Sequence, residues 1–177
     1  MQPARGNFTI VPVMVGSLSP NSEAKYGKIF AKYLQDPSVC FVISSDFCHW
    51  GDRFRYTHYD SSEGEIYQSI QVRKQPTAHL TPHTSSSLSL QALDQAGMSI
   101  IERMDPAGFT HYLKQYGNTI CGRHPIGVFL NMIAEIRGGV SNGLRLDLKF
   151  LKYAQSSKVR NPRESSVSYA SAAFIMN

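Results

Sequence analysis

The stretch FTIVPVMVGSLSPNSEAKYGKIFAKYLQDPSVCFVI, residues 8–43, contains the pattern that decides the predicted fold. Residues 8–15 form an apolar run, which is typical of a buried parallel strand. Ser19 followed by Pro20 indicates a helix start, because the hydroxyl caps free N–H groups and proline suits the first helical position. Residues 39–43 form a second apolar run after that helix. A helix between two such strands predicts a parallel β-α-β unit and an α/β fold.

Further along the chain, apolar periodicity alternates with segments that lack it. The patterns predict helices over 63–70, 106–116 and 125–136, and strands over 144–150 and 167–175. Residues 99–104 are predicted to be the end of a further helix. Residues 71–90 contain prolines, serines and no apolar period, which predicts an exposed loop or a disordered insert. These strands are too few for a complete α/β sandwich, so we expect the second half of a larger fold.

Composition places the chain among globular proteins. Its 177 residues are 42% hydrophobic and 18% charged, which fits one domain over residues 1–177. The net charge of +5 is scattered along the chain, so we expect a solvated basic surface and no nucleic-acid partner. No apolar run is long enough for a membrane span, and we expect no secretory signal. Three cysteines favour a reducing, cytoplasmic location.

The first candidate site segment is SSDFCHWG, residues 44–51, which directly follows a predicted strand. Ligands of open α/β sheets lie outside the carboxyl ends of strands. Asp46, Cys48 and His49 place a carboxylate, a thiol and an imidazole there, suited to metal binding or acid–base chemistry. In the alternative interpretation the Asp46 carboxylate accepts hydrogen bonds from backbone N–H groups of a turn, Cys48 is a core residue and His49 stacks on Trp50.

The second candidate segment is NTICGRHPIG, residues 118–127. Cys121 precedes a predicted helix start and lies beside Arg123 and His124, an environment that favours a thiolate nucleophile or ligand. In the alternative interpretation Cys121 is a buried thiol and His124 caps the helix. Together the two segments predict a pocket whose Cys, His and carboxylate donors suit zinc or iron.

An aromatic and basic segment follows the first loop. Arg53 and Arg55 alternate with aromatic residues, and arginines beside aromatic rings can bind carboxylate or phosphate groups, including that of phosphotyrosine. The alternative is an aromatic packing edge on which the two arginines stack.

Several motifs together resemble the C-terminal half of the Memo family, which is named for mediating cell motility driven by receptor tyrosine kinases. The resemblance covers nearly the whole chain apart from residues 71–90. The motifs are FVISSDFCHWGDRFRY (41–56), GEIYQSI (64–70), GMSIIERMDP (97–106), NTICGRHPIGV (118–128), YAQSS (153–157) and SSVSYA (165–170).

The resemblance implies an α/β/α sandwich similar to class III non-haem-iron extradiol dioxygenases. It also implies an iron or copper pocket built from two histidines of the N-terminal half and the cysteine that is Cys121 here, with His49 lining it as a further candidate ligand. This chain lacks that N-terminal half, and residues 71–90 replace a short connection, so we expect a partial form of the domain. Two protein donors are fewer than the roughly three of a catalytic metal site, so we expect no tightly bound metal.

The resemblance implies a non-enzymatic signalling protein. Its partners would be phosphotyrosine-bearing receptors or adaptors and regulators of actin and microtubules, in the cytoplasm with the nucleus as a second location. The alternative is a metal-dependent oxidoreductase, with His49 and Asp46 as candidate catalytic residues. A hydrolase with Cys121 as nucleophile is the third hypothesis.

Overall fold

The computed structural model describes residues 8–59, 66, 93–139 and 144–177 and contains both helices and a sheet. The elements in chain order are α1 (Pro20–Leu34), β1 (His49–Trp50), a short 3₁₀ helix (Asp52–Phe54), α2 (Leu93–Glu102), α3 (Pro106–Tyr116), α4 (Arg123–Gly139), β2 (Leu146–Gln155) and β3 (Ser166–Met176).

The sheet is small and antiparallel, with strand order β1-β3-β2. In the long hairpin, Leu146 of β2 lies opposite Met176 of β3, and the register shifts at Leu151. His49 of β1 lies opposite Val167 of β3. The candidate residue His49 therefore lies at the edge of the sheet, on the short strand β1.

Capping residues set the ends of α1 and α3 where the sequence predicts them. The Ser19 hydroxyl accepts a hydrogen bond from the Ser22 N–H at 3.2 Å, which caps the start of α1. At the start of α3 the Asp105 carboxylate accepts from the Gly108 N–H at 2.8 Å. Gly117 ends α3 at φ +60, a left-handed conformation that glycine adopts without strain. Both helices are confirmed.

The core lies between the helices and the sheet. Helix α4 packs along α1 and also contacts α3, and its Leu130 and Ile133 are fully buried. Trp50 and Tyr112 are the largest buried side chains. The alternating strand predicted at 144–150 and the strand at 167–175 are both confirmed, and α4 begins two residues before its predicted start.

The two strands predicted at residues 8–15 and 39–43 are absent, so the predicted parallel β-α-β unit is wrong for these residues. Both segments are described and carry no regular structure. Most of their apolar side chains face solvent, with Met14 99% and Val42 87% exposed, while Ile43 packs against the core. A strand forms only where its N–H and C=O groups find a neighbouring strand, and the described sheet offers these segments none.

Two predictions fall on residues that the structure leaves out. The helix at 63–70 lies outside the described residues apart from Ile66, which is helical and buried. The insert at 71–90 lies outside them entirely. Within the described ranges, no helix combines the length and the apolar character that crossing a membrane requires.

Candidate functional site

The segment 44–51 and the segment 118–124, called here the first and second loops, contact one another directly. The His49 N–H donates to the Thr119 hydroxyl at 2.7 Å, and that hydroxyl donates to the His49 carbonyl at 2.9 Å. The Gly122 N–H donates to the Ser45 hydroxyl at 2.9 Å. The structure thus brings together the two segments that the sequence singles out.

Gly122 permits this close approach because it has no side chain. A Cβ atom there would lie 2.5 Å from the Ser45 Cβ and 2.6 Å from the Ser44 carbonyl oxygen. Either contact is far inside van der Waals distance, so a larger residue would push the loops apart.

Asp46 and His49 form a carboxylate–imidazole pair within the first loop. The His49 Nε2–H donates to Asp46 Oδ1 at 2.9 Å, because an ionised carboxylate only accepts. Both side chains are about a quarter exposed, at 24% for His49 and 29% for Asp46. The His49 ring packs edge-on against Phe54, 5.0 Å between centroids, so the stacking on Trp50 considered from the sequence is wrong.

Cys48 is a core residue in this structure. Its side chain is fully buried. Burial raises the pKa of its thiol well above the usual value, and the negative charge of Asp94 raises that pKa further. Cys48 therefore presents no thiolate to a ligand, and the core interpretation of this residue fits the structure.

Cys121 lies in the turn before α4 and is exposed. The interpretation of Cys121 as a buried thiol is therefore wrong. The neighbouring Arg123 turns its guanidinium back to the Ile120 carbonyl, 3.3 Å from Nη1. The thiol of Cys121 is open to reagents or to a partner.

His124 turns away from the loops toward α1. Its Nδ1–H donates to Oε1 of Glu23 at 2.7 Å, and its buried Nε2 has no hydrogen-bond partner among the described residues. His124 therefore lies in the first turn of α4 and links that helix to α1.

Arg53 and Arg55 are both exposed at the rim of the first loop. The Arg53 guanidinium lies 5.7 Å from the centroid of the Phe54 ring, as the stacking alternative requires. Arg55 adopts a left-handed backbone conformation, φ 55, at the end of the 3₁₀ helix.

The donor set does not make a metal centre by itself. Across residues 8–59, 66, 93–139 and 144–177, no group of three or more His, Cys, Asp or Glu side chains could hold a metal ion. The His49 Nε2 is engaged by Asp46, so only Nδ1 is left for a ligand. Catalytic iron and zinc sites use about three protein ligands, so His49 and Cys121 need further donors.

Sequence reasoning missed two residues that support the loops, namely Glu23 and Asp94. Asp94 is followed at helical spacing by Gly97, Met98 and Ile101, all buried, and this spacing signals a buried position for the carboxylate. Glu23 gives no such signal, since acidic residues in a first helical turn are ordinary.

Comparison with known proteins identifies close relatives along the chain. The family model described as "Memo-like protein" matches residues 1–173. Protein MEMO1 of Homo sapiens is 51% identical over 177 residues, covering 100% of this chain and 52% of that protein. Protein MEMO1 of Danio rerio shows the same identity and coverage. Protein memo-1 homolog of Caenorhabditis elegans is 44% identical over 170 residues, covering 96% of this chain and 43% of that protein. The chain spans about half the length of the curated relatives it matches.

Proposed function

The chain belongs to the Memo family, and from that membership we propose that it acts as a non-enzymatic adaptor in receptor-tyrosine-kinase signalling. Its partners are phosphotyrosine-bearing receptors or adaptors on one side and cytoskeletal regulators on the other, and its location is the cytoplasm, with the nucleus as a second site. The observation that carries the proposal is the 51% identity to Protein MEMO1 over the full chain.

Arg53 and Arg55 are the proposed contacts for a phosphotyrosine. Both guanidinium groups are exposed on one short segment, and guanidinium groups pair with phosphate through charge-assisted hydrogen bonds. This site is independent of any metal.

The adaptor proposal is tested by fluorescence anisotropy with tyrosine-phosphorylated receptor peptides and their unphosphorylated forms. We expect binding that requires the phosphate and falls at least tenfold in the double variant Arg53→Gln, Arg55→Gln. The control carries the same change at the exposed Arg145 and Arg163 and keeps its affinity. Equal affinity for both peptide forms, or an equal loss in the control, contradicts the proposal.

The chain is further proposed to be the C-terminal half of a single Memo-like domain with a dioxygenase-like α/β sandwich. Residues 8–14 are exposed on both faces, with Phe8 at 82% and Val11 at 79%. A run that is apolar on both faces is typical of an interior strand of a parallel sheet, which needs a neighbour on each side. The half of each relative that lies outside the match supplies that cover.

An iron or copper pocket belongs to that complete domain in the same proposal. Cys121 and His49 contribute donors on two contacting loops, and the remaining donors come from the other half. Since the described residues do not complete a metal centre, the proposed adaptor role rests on no metal step.

A second candidate is a metal-dependent oxidoreductase, favoured by the Asp46–His49 pair. A carboxylate 2.9 Å from Nε2 fixes the ring of a partly exposed imidazole, an arrangement suited to moving a proton. Oxygen uptake with catechols and added Fe²⁺ tests this candidate. Uptake that is lost in His49→Gln supports it, and uptake unchanged by that substitution, or none at all, rejects it.

A further inference from the structure

Asp94, in the first turn of α2, is a fully buried carboxylate surrounded by hydrogen-bond donors. The side-chain amide of Asn118 donates to Oδ1 at 3.1 Å, and the Tyr153 hydroxyl donates to Oδ2 at 2.9 Å. The Tyr153 hydroxyl also lies 3.0 Å from the Ser168 Oγ. Burying an ionised carboxylate is costly unless donors replace its water, and here the Asn118 amide and the Tyr153 hydroxyl do so.

The contacts of Asp94 reach both loops of the candidate site. Asn118 lies in the second loop, next to Thr119, while Tyr153 contacts Ser168, whose N–H donates to the carbonyl of Cys48 in the first loop at 2.9 Å. His49 and Thr119 are hydrogen-bonded to each other at 2.7 Å and 2.9 Å. The contacts therefore close a ring from Asp94 through one loop to the other and back.

We propose that Asp94 is the positioning residue of the candidate site, whose carboxylate holds the first and second loops, and thus His49 and Cys121, in fixed relative positions. The inference rests on the proposed function only in taking these loops as the site. The ring of hydrogen bonds stands whether or not a phosphopeptide binds.

The chemistry of the donors explains why a carboxylate is needed. The Asn118 amide nitrogen can only donate, whereas the Tyr153 hydroxyl can rotate to accept instead. An asparagine at position 94 keeps the shape of the side chain but offers one oxygen in place of two. The Tyr153 hydroxyl can adapt to that change, whereas the Asn118 amide of the second loop loses its acceptor when the single oxygen faces Tyr153.

A second anchor holds Asn118 from the other side. Its amide also donates to the Tyr112 hydroxyl at 2.6 Å, and that hydroxyl donates to the Leu93 carbonyl at 2.6 Å. This second contact attaches Asn118 to α3 and not to the first loop, so it does not replace the connection through Asp94. A substitution at position 94 is therefore expected to loosen the loops before it loosens the helices.

The test compares Asp94→Asn and Asp94→Ala in the 177-residue chain with Asp147→Asn, a control at an exposed aspartate of β2. Hydrogen exchange by mass spectrometry follows peptides from the first loop, the second loop and α4. Alkylation of the exposed Cys121 is measured against that of the exposed Cys40, which lies outside the ring.

We expect both loops to exchange on the order of tenfold faster in Asp94→Asn, and faster still in Asp94→Ala, while α4 stays within about twofold. The ratio of the Cys121 to the Cys40 alkylation rates changes in the same variants and not in the control. Equal acceleration of hydrogen exchange in the loops and in α4 would mean that Asp94 has a merely structural role and would overturn the proposal. Unchanged exchange rates in the two loops would overturn it as well.

A milder variant keeps the proposal testable if Asp94→Asn does not fold. Tyr153→Phe removes one donor to the carboxylate and leaves its charge in place. We expect hydrogen exchange to become faster in the two loops and not in α4, by a smaller factor than in the Asp94 variants. Loss of the phosphopeptide affinity alone, with loop exchange unchanged in every variant, counts against Asp94 and leaves the adaptor proposal standing.

Discussion

The His124 imidazole donates from Nδ1 to Oε1 of Glu23 across 2.7 Å and joins the first turn of α4 to the first turn of α1. Glu23 is 7% exposed, so this pair is largely desolvated and its hydrogen bond is stronger than one on the surface. Gly127, one turn further along α4, lies against the same carboxylate. The packing of the two helices therefore depends on a polar contact as well as on apolar side chains.

Gly127→Ala is expected to destabilise the chain by about 1–3 kcal/mol. The new Cβ would overlap the Glu23 carboxylate, with the Glu23 Cδ only 2.6 Å away, so this buried carboxylate must move and its hydrogen bond to His124 is disturbed. Urea unfolding followed by circular dichroism measures the change.

Gly138→Ala is the matched control in the same helix, because nothing lies within 4 Å of a Cβ at that position. Alanine there is expected to leave the free energy of unfolding unchanged or to raise it by up to about 1 kcal/mol. Equal destabilisation by the two substitutions would show that the contact with Glu23 is unimportant.

The stability of the chain is expected to depend on pH through Asp94. Burial raises the pKa of Asp94 above its usual 3.8, although its hydrogen bonds oppose the shift. Between 3.8 and that raised pKa the folded chain binds more protons than the unfolded chain, so stability falls as pH rises through this window. The measurement is the free energy of unfolding in urea as a function of pH, taken as the difference between the unsubstituted chain and Asp94→Asn.

Asp36 provides a control of opposite sign for that experiment. Hydrogen bonds from the Ser38 hydroxyl and N–H lower the pKa of Asp36, so its contribution to stability is lost as pH falls below 3.8. A difference curve for Asp94→Asn that rises with pH would contradict the assignment for Asp94.

The three cysteines are expected to react at very different rates with iodoacetamide. Cys40 and Cys121 are exposed, whereas Cys48 is fully buried and burial raises the pKa of its thiol. Since the thiolate is the reactive form, we expect Cys48 to react at least about a hundredfold more slowly in the folded chain and at the common rate in urea. Peptide mass spectrometry measures each rate, and comparable rates at all three cysteines without urea would refute the burial of Cys48.

The exposed apolar residues at 8–14 are expected to make the isolated chain self-associate and bind a hydrophobic dye. Addition of the half of human Protein MEMO1 that lies outside the match is expected to give a one-to-one complex and to reduce dye binding. Analytical ultracentrifugation and dye fluorescence record both effects.

Val11→Glu with Val42→Glu tests which surface is covered in that complex. Both side chains face solvent, so the double variant should keep the stability of the chain and lose the complex. The control Leu151→Glu, at a 70% exposed position of β2, should still form the complex. If the chain is monomeric and forms no complex with the added half, the half-domain proposal loses its support.

Local signals in the sequence were sufficient for the helices and the hairpin. Ser19 and Pro20 mark the start of α1, while Asp105 and Gly117 mark the start and the end of α3. The hydrogen bonds of these caps join residues a few positions apart, so they form wherever the helix lies in the fold. The alternation at residues 144–150 likewise needs only one buried face. The motifs that resemble the Memo family also lie in the sequence itself, and comparison confirms the family.

Only the tertiary structure decided the rest, because it depends on groups far apart in the chain. The apolar run at 8–15 has the composition of a strand but lacks a neighbour for its backbone groups in the described sheet. His124 hydrogen-bonds to Glu23, which lies 101 residues away in the chain, and Asp94 accepts hydrogen bonds from the second loop and from β2. Local patterns report what a segment can form, whereas burial and long-range hydrogen bonds select what it does form.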